Sequence, residues 1–291
     1  VVTGITRFHY DAGMADSDPN PGAAYLLGHS DEELARLGRQ AKLVDPMTRR
    51  FFESAGIGPG MRVLDVGSGA GHVSFILADL VGPQGQVVGV DRAPAALKTA
   101  TGRVEAAGLR HVSFLEGDPA TMAFDAPFDA VAGRYVLMFQ PDPVAMLRGV
   151  ARHVHPRGIV VFHEPDWVGA RSHPVVPLYE RTWRWIWETI ERNGVDGRMG
   201  IKLHATFVAA GLPAPMVALE ALIGGGDDME RIRYLTEIVG TLLESIERAG
   251  IVTADEIGLD TLPDRIAAEA KACGAVMASR SEIGAWCRGS A

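Results

Sequence analysis

Cysteine is scarce in this chain: Cys273 and Cys287 are the only two in 291 residues. Two thiols without C-x-x-C spacing make no disulfide framework, zinc knuckle or dithiol redox pair, so reduced cysteines in a cytoplasmic protein are the expectation. Runs of positive charge are also lacking. The formal net charge is -8 and no basic run exceeds Arg49-Arg50. That is too little to grip a phosphate backbone, so nucleic acid is not an expected partner. No apolar stretch approaches the roughly 18 residues of a membrane span, and the first residues lack a charged-then-apolar leader pattern. Neither membrane nor export is expected, and internal repeats and low-complexity tracts are missing too. What remains is ordinary: 47% hydrophobic and 22% charged residues, the composition of a soluble globular chain long enough for one large or two small cores.

The most informative stretch is Val63-Leu64-Asp65-Val66-Gly67-Ser68-Gly69-Ala70-Gly71-His72. Its short apolar run suits a buried parallel strand, and a helical pattern resumes from His72 to Leu80. Strand, glycine turn and helix together form a cradle: Gly67, Gly69 and Gly71 let the backbone turn tightly and approach a ligand, while the free N–H groups of the helix start face the same space. The dinucleotide fingerprint G-x-G-x-x-G fits poorly, because the third glycine comes one place early and His72 stands where a glycine is required. Asp65 would repel a diphosphate and attract an ammonium. Asp91 ends the next strand, where a carboxylate can accept hydrogen bonds from ribose hydroxyls.

Strands are predicted at 61–66, 87–91, 112–116, 128–134 and 158–164, with helices at 72–81, 93–107 and 142–152, the alternation of a doubly wound α/β sheet. Ligands of such sheets gather beyond the carboxyl ends of the strands, so Asp65, Asp91, Asp118, Arg134 and Glu164 should rim one crevice.

Asp65 to Gly71 resembles the first motif of the class I methyltransferases that use S-adenosylmethionine. Three further segments agree in order and spacing: Val87-Val88-Gly89-Val90-Asp91, Glu116-Gly117-Asp118-Pro119 and Phe128-Asp129-Ala130-Val131. The resemblance covers residues 60–165. It implies an α/β, doubly wound, mostly parallel seven-stranded sheet with an antiparallel C-terminal hairpin, an N-terminal helical lid and helical insertions. It further implies S-adenosylmethionine as cofactor, with Asp65, Gly67, Ser68, Gly69 and Gly71 on its methionine portion, Asp91 on the ribose, and Asp118 with Pro119 at the adenine. Arg92 and Met122 would take the ring faces. Arg134 and Tyr135 would meet the methionine carboxylate or an acidic acceptor, and Tyr25 and Gln40 would belong to the lid. Family members that act on catechols use magnesium, but Asp129 is part of the strand motif and Gln140 to Asp142 offer no ligand set, so no metal is expected.

The flanks fill in the domain plan, with residues 1–57 as arm and lid and 58–291 as the methyltransferase domain. The stretch to about Pro21 reads as a mobile arm. Ser30 and Glu33 form a capping box for a helix from Asp31 to Val44, which Asp45-Pro46 ends before a second helix from Met47 to Ala55. Beyond Glu164 the first insertion, 165–200, concentrates Trp167, Tyr179, Trp183, Trp185 and Trp187. On a helix from Val176 to Asn193, Trp183 and Trp187 share a face with Ile190 while Trp185 points away. Core packing is one reading, and an aromatic wall for a flat or apolar acceptor is the other. Helix 200–210 and strand 215–222 follow. A second insertion, 223–273, carries an amphipathic helix from Asp227 to Ala249 that serves either as a cap over the substrate or as a homodimer surface. Segments 275–279 and 283–288 complete the hairpin with 215–222.

Methyl transfer asks mainly for alignment, and a base is needed only when the acceptor is still protonated as it attacks. His163 and Glu164 are the candidate catalytic bases, on opposite faces of their strand. Tyr135, Met138, Trp167 and Trp185 are the candidate contacts to a small-molecule acceptor. His29, His173, Arg181, Arg198 and His204 read as surface or packing residues. The rival readings are an NAD(P)-dependent oxidoreductase, an aminopropyltransferase or cyclase on the same cofactor fold, and a non-catalytic binding module.

Overall fold

The computed structural model describes residues 31–289, with side chains from residue 43 onward. The expected arm and the Ser30 cap lie outside these residues. The chain opens on helix α1 (Asp31–Ala55). It then alternates through β1 (Arg62–Val66), α2 (His72–Val81), β2 (Gln86–Asp91), α3 (Pro94–Ala106), β3 (Val112–Glu116), β4 (Phe128–Arg134), α4 (Pro143–Ala151) and β5 (Val154–Asp166). Beyond these come β6 (Arg171–His173), α5 (Pro177–Arg192), α6 (Met199–Ala209), β7 (Met216–Gly225), α7 (Met229–Arg248), α8 (Ala254–Ile257), α9 (Leu262–Cys273) and β8 (Val276–Arg288).

The central strands are buried on both sides, as their near-continuous apolar sequences require of a covered parallel sheet. Adjacent residues serve opposite layers. Val63, Val87, Ile159 and Val161 pack toward Phe52 and Leu77 of α1 and α2, while Leu64, Val88, Val160 and Phe162 belong to the larger core shared with α4 to α7 and α9. The sheet runs β3-β2-β1-β4-β5-β8-β6, and β7 pairs with the other edge of β8. β1 to β5 are parallel; β6, β7 and β5 meet β8 antiparallel. Strand order reverses between β1 and β4, which opens a crevice at their carboxyl ends. The described sheet has eight strands rather than seven, the addition being the short β6 inside the first insertion.

Two boundaries differ instructively from the sequence reading. α1 continues through Asp45-Pro46, so Pro46 lies inside the helix. Proline removes one backbone donor there, but Val44, Met47 and Phe51 on either side are buried in one apolar cluster against Trp286, Ala218 and Leu222. Packing holds the helix straight through the residue expected to end it. β8 is likewise one strand of 13 residues, not two pieces, and the bridging residues Arg280, Ser281 and Glu282 are all buried.

Candidate functional site

β1 delivers Asp65, fully buried, to the layer shared with α2, where Ser74 Oγ donates to its Oδ2. Its other oxygen, Oδ1, is buried without a hydrogen-bond partner, and so is Ser68 Oγ. Burial pushes the Asp65 carboxyl up to about 7, against the pull of the Ser74 hydrogen bond and of Arg134. A buried carboxylate oxygen left unpaired is costly unless a donor arrives. A cationic amino group is the donor that suits it best.

Gly67 and Gly69 take left-handed backbone angles, with φ of 66° and 51°. A Cβ on Gly67 would meet Val136 Cγ2 at 2.9 Å, whereas one on Gly69 would meet nothing within 4 Å. The first glycine admits the loop after β4; the second borders open space, as a ligand cradle should. Asp91 closes the loop, because its Oδ2 accepts from Gly69 N at 2.8 Å and its Oδ1 from Ala93 N at 2.9 Å. Each oxygen retains a lone pair for a ribose hydroxyl. Across the mouth, exposed Arg92 forms an ion pair with Asp118 at 2.6 Å, and Asp118 Oδ1 caps Ala120 N at 3.0 Å. Pro119 is buried, and its carbonyl accepts from His153 Nε2 at 2.9 Å. Hydrogen bonds thus tie the loop to Asp91, and an ion pair ties Arg92 to Asp118, at the carboxyl ends of β1 to β3. Tyr25 lies outside the described residues, and so does the side chain of Gln40.

The ends of β4 and β5 carry a second, wholly internal layer. Arg134 Nη1 donates to Asp45 Oδ1 at 2.6 Å and to Thr48 Oγ1 at 2.9 Å, both on α1. His163 is fully buried between Thr48 Oγ1, 3.1 Å from its Nδ1, and Glu282 Oε2, 3.0 Å from its Nε2. Tyr135 donates its hydroxyl proton to the same Glu282 oxygen at 2.8 Å. Arg280 Nε reaches Glu282 Oε1 at 2.8 Å, Arg280 Nη2 reaches the Tyr135 hydroxyl at 3.0 Å, and the guanidinium lies 3.9 Å over the Trp167 ring. Burial opposes ionisation of Glu282, but Arg280 and the His163 hydrogen bond overcome it and hold the carboxyl down at about 2. Burial lowers the His163 pKa despite Glu282, so the imidazole is neutral. Tyr135 keeps a left-handed φ of 58°, a strained angle for a side chain, with its N–H on His163 O at 2.9 Å.

These contacts correct the expectation of a base at β5. Glu164 Oε1 accepts from Val136 N and Leu137 N, and its Oε2 accepts from Met138 N at 3.4 Å. Fully buried, it holds the turn after β4 rather than facing the crevice. Burial pushes its carboxyl up to about 8 against those three backbone donors. Both nitrogens of His163 are likewise taken up within the protein. Trp185, expected to point away from its neighbours, is buried in the large apolar core, with Arg181 lying 5.9 Å over its ring. It packs the cap. Met138 is buried at the Glu164-held turn, while Trp167 and Tyr135 flank Arg280. His173, Arg181, Arg198 and His204 are exposed. Among the described residues no three His, Cys, Asp or Glu side chains come together as a metal site, and no helix is long and apolar enough to cross a membrane.

Sequence reasoning missed Asp45, Thr48, Ser74, Arg280 and Glu282. The one available signal was in β8, where Arg280 and Glu282, two apart and opposite in charge, fall on the same strand face between the apolar runs Ala275–Ala278 and Ile283–Cys287.

Comparison with known proteins shows the family. Residues 57–197 match the family model described as a methyltransferase domain. The chain is 35% identical over 165 residues to aklanonic acid methyltransferase DauC of Streptomyces sp. (strain C5), covering 56% of this chain and 74% of that protein. It is 32% identical over 123 residues to the demethylmenaquinone methyltransferase of Lactococcus lactis, covering 42% and 46%, and so spans about half the length of that relative. Among solved structures, the YcgJ protein of Bacillus subtilis superposes with a TM-score of 0.54 at 19% identity, over 84% of this chain and 98% of that one. At that identity the likeness speaks for the fold alone.

Proposed function

The chain belongs to the class I S-adenosylmethionine-dependent methyltransferases of the small-molecule type, and we propose that it binds S-adenosylmethionine at the glycine loop and methylates a small apolar or aromatic acceptor in the cytoplasm. The observation that carries this reading is the buried, unpartnered Asp65 Oδ1 beside a loop whose central glycine borders open space. These residues fit the cofactor: Asp65 offers a carboxylate to its ammonium, Arg134 a guanidinium to its carboxylate, Asp91 two oxygens to its ribose hydroxyls, and Asp118 an acceptor to its adenine amino group. When bound, the cofactor supplies a methyl group on a positively charged sulfur, which is a good leaving group.

What the protein adds is alignment. His163 and Glu164 are both consumed internally, so neither of these two side chains is free to remove a proton from the acceptor. Tyr135 and Trp167, clamped about Arg280, supply a rigid aromatic wall next to the loop that touches Gly67. Relatives named for aklanonic acid, demethylmenaquinone and 2-phytyl-1,4-naphthoquinone support an acceptor of this kind. Calorimetry with S-adenosylmethionine and with NADH, followed by labelled-methyl incorporation into a panel of aromatic acids and quinols, tests the reading. Micromolar binding of S-adenosylmethionine, no binding of NADH, and label in a panel member are expected. Preference for NADH, or binding without methyl transfer to any panel member, would overturn it.

A further inference from the structure

Thr48 links Arg134 to the His163–Glu282 network. Its single hydroxyl, fully buried on α1, lies 2.9 Å from Arg134 Nη1, 3.1 Å from His163 Nδ1 and 3.2 Å from the Val44 carbonyl. The hydroxyl has one proton to give and two lone pairs to offer. Arg134 can only donate, so it occupies a lone pair. Glu282, held ionised by Arg280, can only accept, so the His163 nitrogen facing it, Nε2, must carry the imidazole proton. Nδ1 is then a bare acceptor in a neutral ring, and among the described residues the donor within reach is the Thr48 hydroxyl; the hydroxyl's other acceptor, the Val44 carbonyl at 3.2 Å, already receives a backbone N–H of α1, so the proton is needed at Nδ1. The chain therefore has one polarity: Arg134 Nη1–H to Thr48 Oγ, Thr48 O–H to His163 Nδ1, His163 Nε2–H to Glu282, with the Tyr135 O–H meeting Glu282 from the other side.

We propose that Thr48 is a positioning residue for cofactor binding: its hydroxyl fixes His163 as the Nε2–H tautomer and aims Arg134 at the methionine end of the cofactor. Three observations support the second half. Arg134 is nearly buried, with a side chain 8% exposed. Its charge is felt by both Asp65 and His72 at the glycine loop. Among the described residues, its only hydrogen-bond acceptors are those on α1, both taken through Nη1, which leaves Nε and Nη2 for a carboxylate. The helix carrying Thr48 is seated independently by Val44, Met47 and Phe51, so loss of one hydroxyl leaves α1 in place. This inference rests on the methyltransferase reading for its ligand, but its tautomer component stands without it.

The test uses the full chain and three forms: wild type, Thr48→Val, which keeps the shape and removes the hydroxyl, and Thr48→Ser, which keeps the hydroxyl. Nitrogen-15 NMR of the His163 imidazole should show a protonated Nε2 and a bare Nδ1 in the wild type and the Ser variant, with the Nδ1 resonance shifted in the Val variant. Calorimetry should show S-adenosylhomocysteine binding weakened about fivefold in the Val variant, the worth of one hydrogen bond. Binding of 5′-methylthioadenosine, which lacks the amino-acid end, should change less than twofold, and the Ser variant should match wild type for both ligands. A protonated Nδ1 or an imidazolium in the wild type overturns the proposal. Equal losses for the two ligands also overturn it, since they mark a merely structural role, and so does unchanged S-adenosylhomocysteine binding. If the wild type binds neither ligand, the methyltransferase reading and the Arg134 half fall together, and the NMR result still decides the tautomer.

Discussion

Glu164 and Leu137 are joined by a hydrogen bond of 2.7 Å from backbone N–H to carboxylate, so the fully buried acid at the end of β5 acts as the cap of the turn leading out of β4. Replacing it with alanine strands up to three backbone donors and should cost about 2–4 kcal/mol. Glutamine keeps an oxygen for the two short bonds and should stay within about 1 kcal/mol of wild type at pH 5. The Glu164 carboxyl is raised on folding to about 8, so its favourable contribution is full below its unfolded value and fades as pH climbs through 8. Glu164→Gln should therefore gain on wild type between pH 5 and 8, as read by urea unfolding at both ends; a constant difference would contradict this.

The Asp65 carboxyl, pushed up to about 7 by burial, must be ionised to hold an ammonium. Affinity for S-adenosylmethionine should rise from pH 6 to pH 8 in the wild type. Asp65→Asn should bind on the order of 10- to 100-fold more weakly and show a flat profile. Calorimetry across that range checks both statements, and a rise preserved in the Asn variant would remove Asp65 from the ligand.

Gly67 and Gly69 should fail in different ways when changed to alanine. At Gly67 the new methyl collides with Val136, so the melting temperature should drop. At Gly69 the methyl enters open space; stability should fall only by the left-handed backbone penalty of about 1–2 kcal/mol, while cofactor affinity falls at least tenfold. Paired thermal melts and calorimetry decide, and a Gly69 variant with wild-type affinity would show that the space is not the cofactor's.

Glu282 anchors Arg280, His163 and Tyr135 at once. Alanine there leaves a buried guanidinium unpaired and should cost about 3–5 kcal/mol, with glutamine costing less. The Glu282 carboxyl is depressed to about 2, so its stabilisation is present above the unfolded value and is lost as pH falls through 2. The gap between wild type and Glu282→Gln should narrow from pH 5 toward pH 2. Unfolding curves at pH 3 and pH 6 that differ by the same amount would refute the assignment.

The sheet was legible because its strands obey one rule over short distances: apolar runs ending in Asp65, Asp91 or Arg134 and followed by glycine or helix signals. β1, β2, β3 and β4 fall within a residue of their expected bounds. The residues proposed to hold the cofactor sit at the ends of these strands, so the same rule picks them out. The inner network was not. Asp45 stood beside a proline read as a stop, and only burial of Val44 and Phe51 overrides that local signal. Arg280 and Glu282 looked like a polar gap between two strand pieces, because a charge pair that neutralises itself across one strand face is invisible until the third dimension brings His163 and Tyr135 against it. Glu164 misled in the opposite way: its position at a strand end suggested chemistry, while its oxygens were already promised to the backbone of the turn between β4 and α4.

The carboxylate of Asp91 ties Gly69 and Ala93 together before anything enters the crevice. A binding loop made rigid in advance loses little motion when its guest arrives, so more of the contact energy survives as affinity. The same economy has a cost in evolvability: on the proposed cofactor reading position 91 would serve scaffold and ligand together, and a chain drifting toward another nucleotide would have to rebuild the loop before it could change the sugar contact.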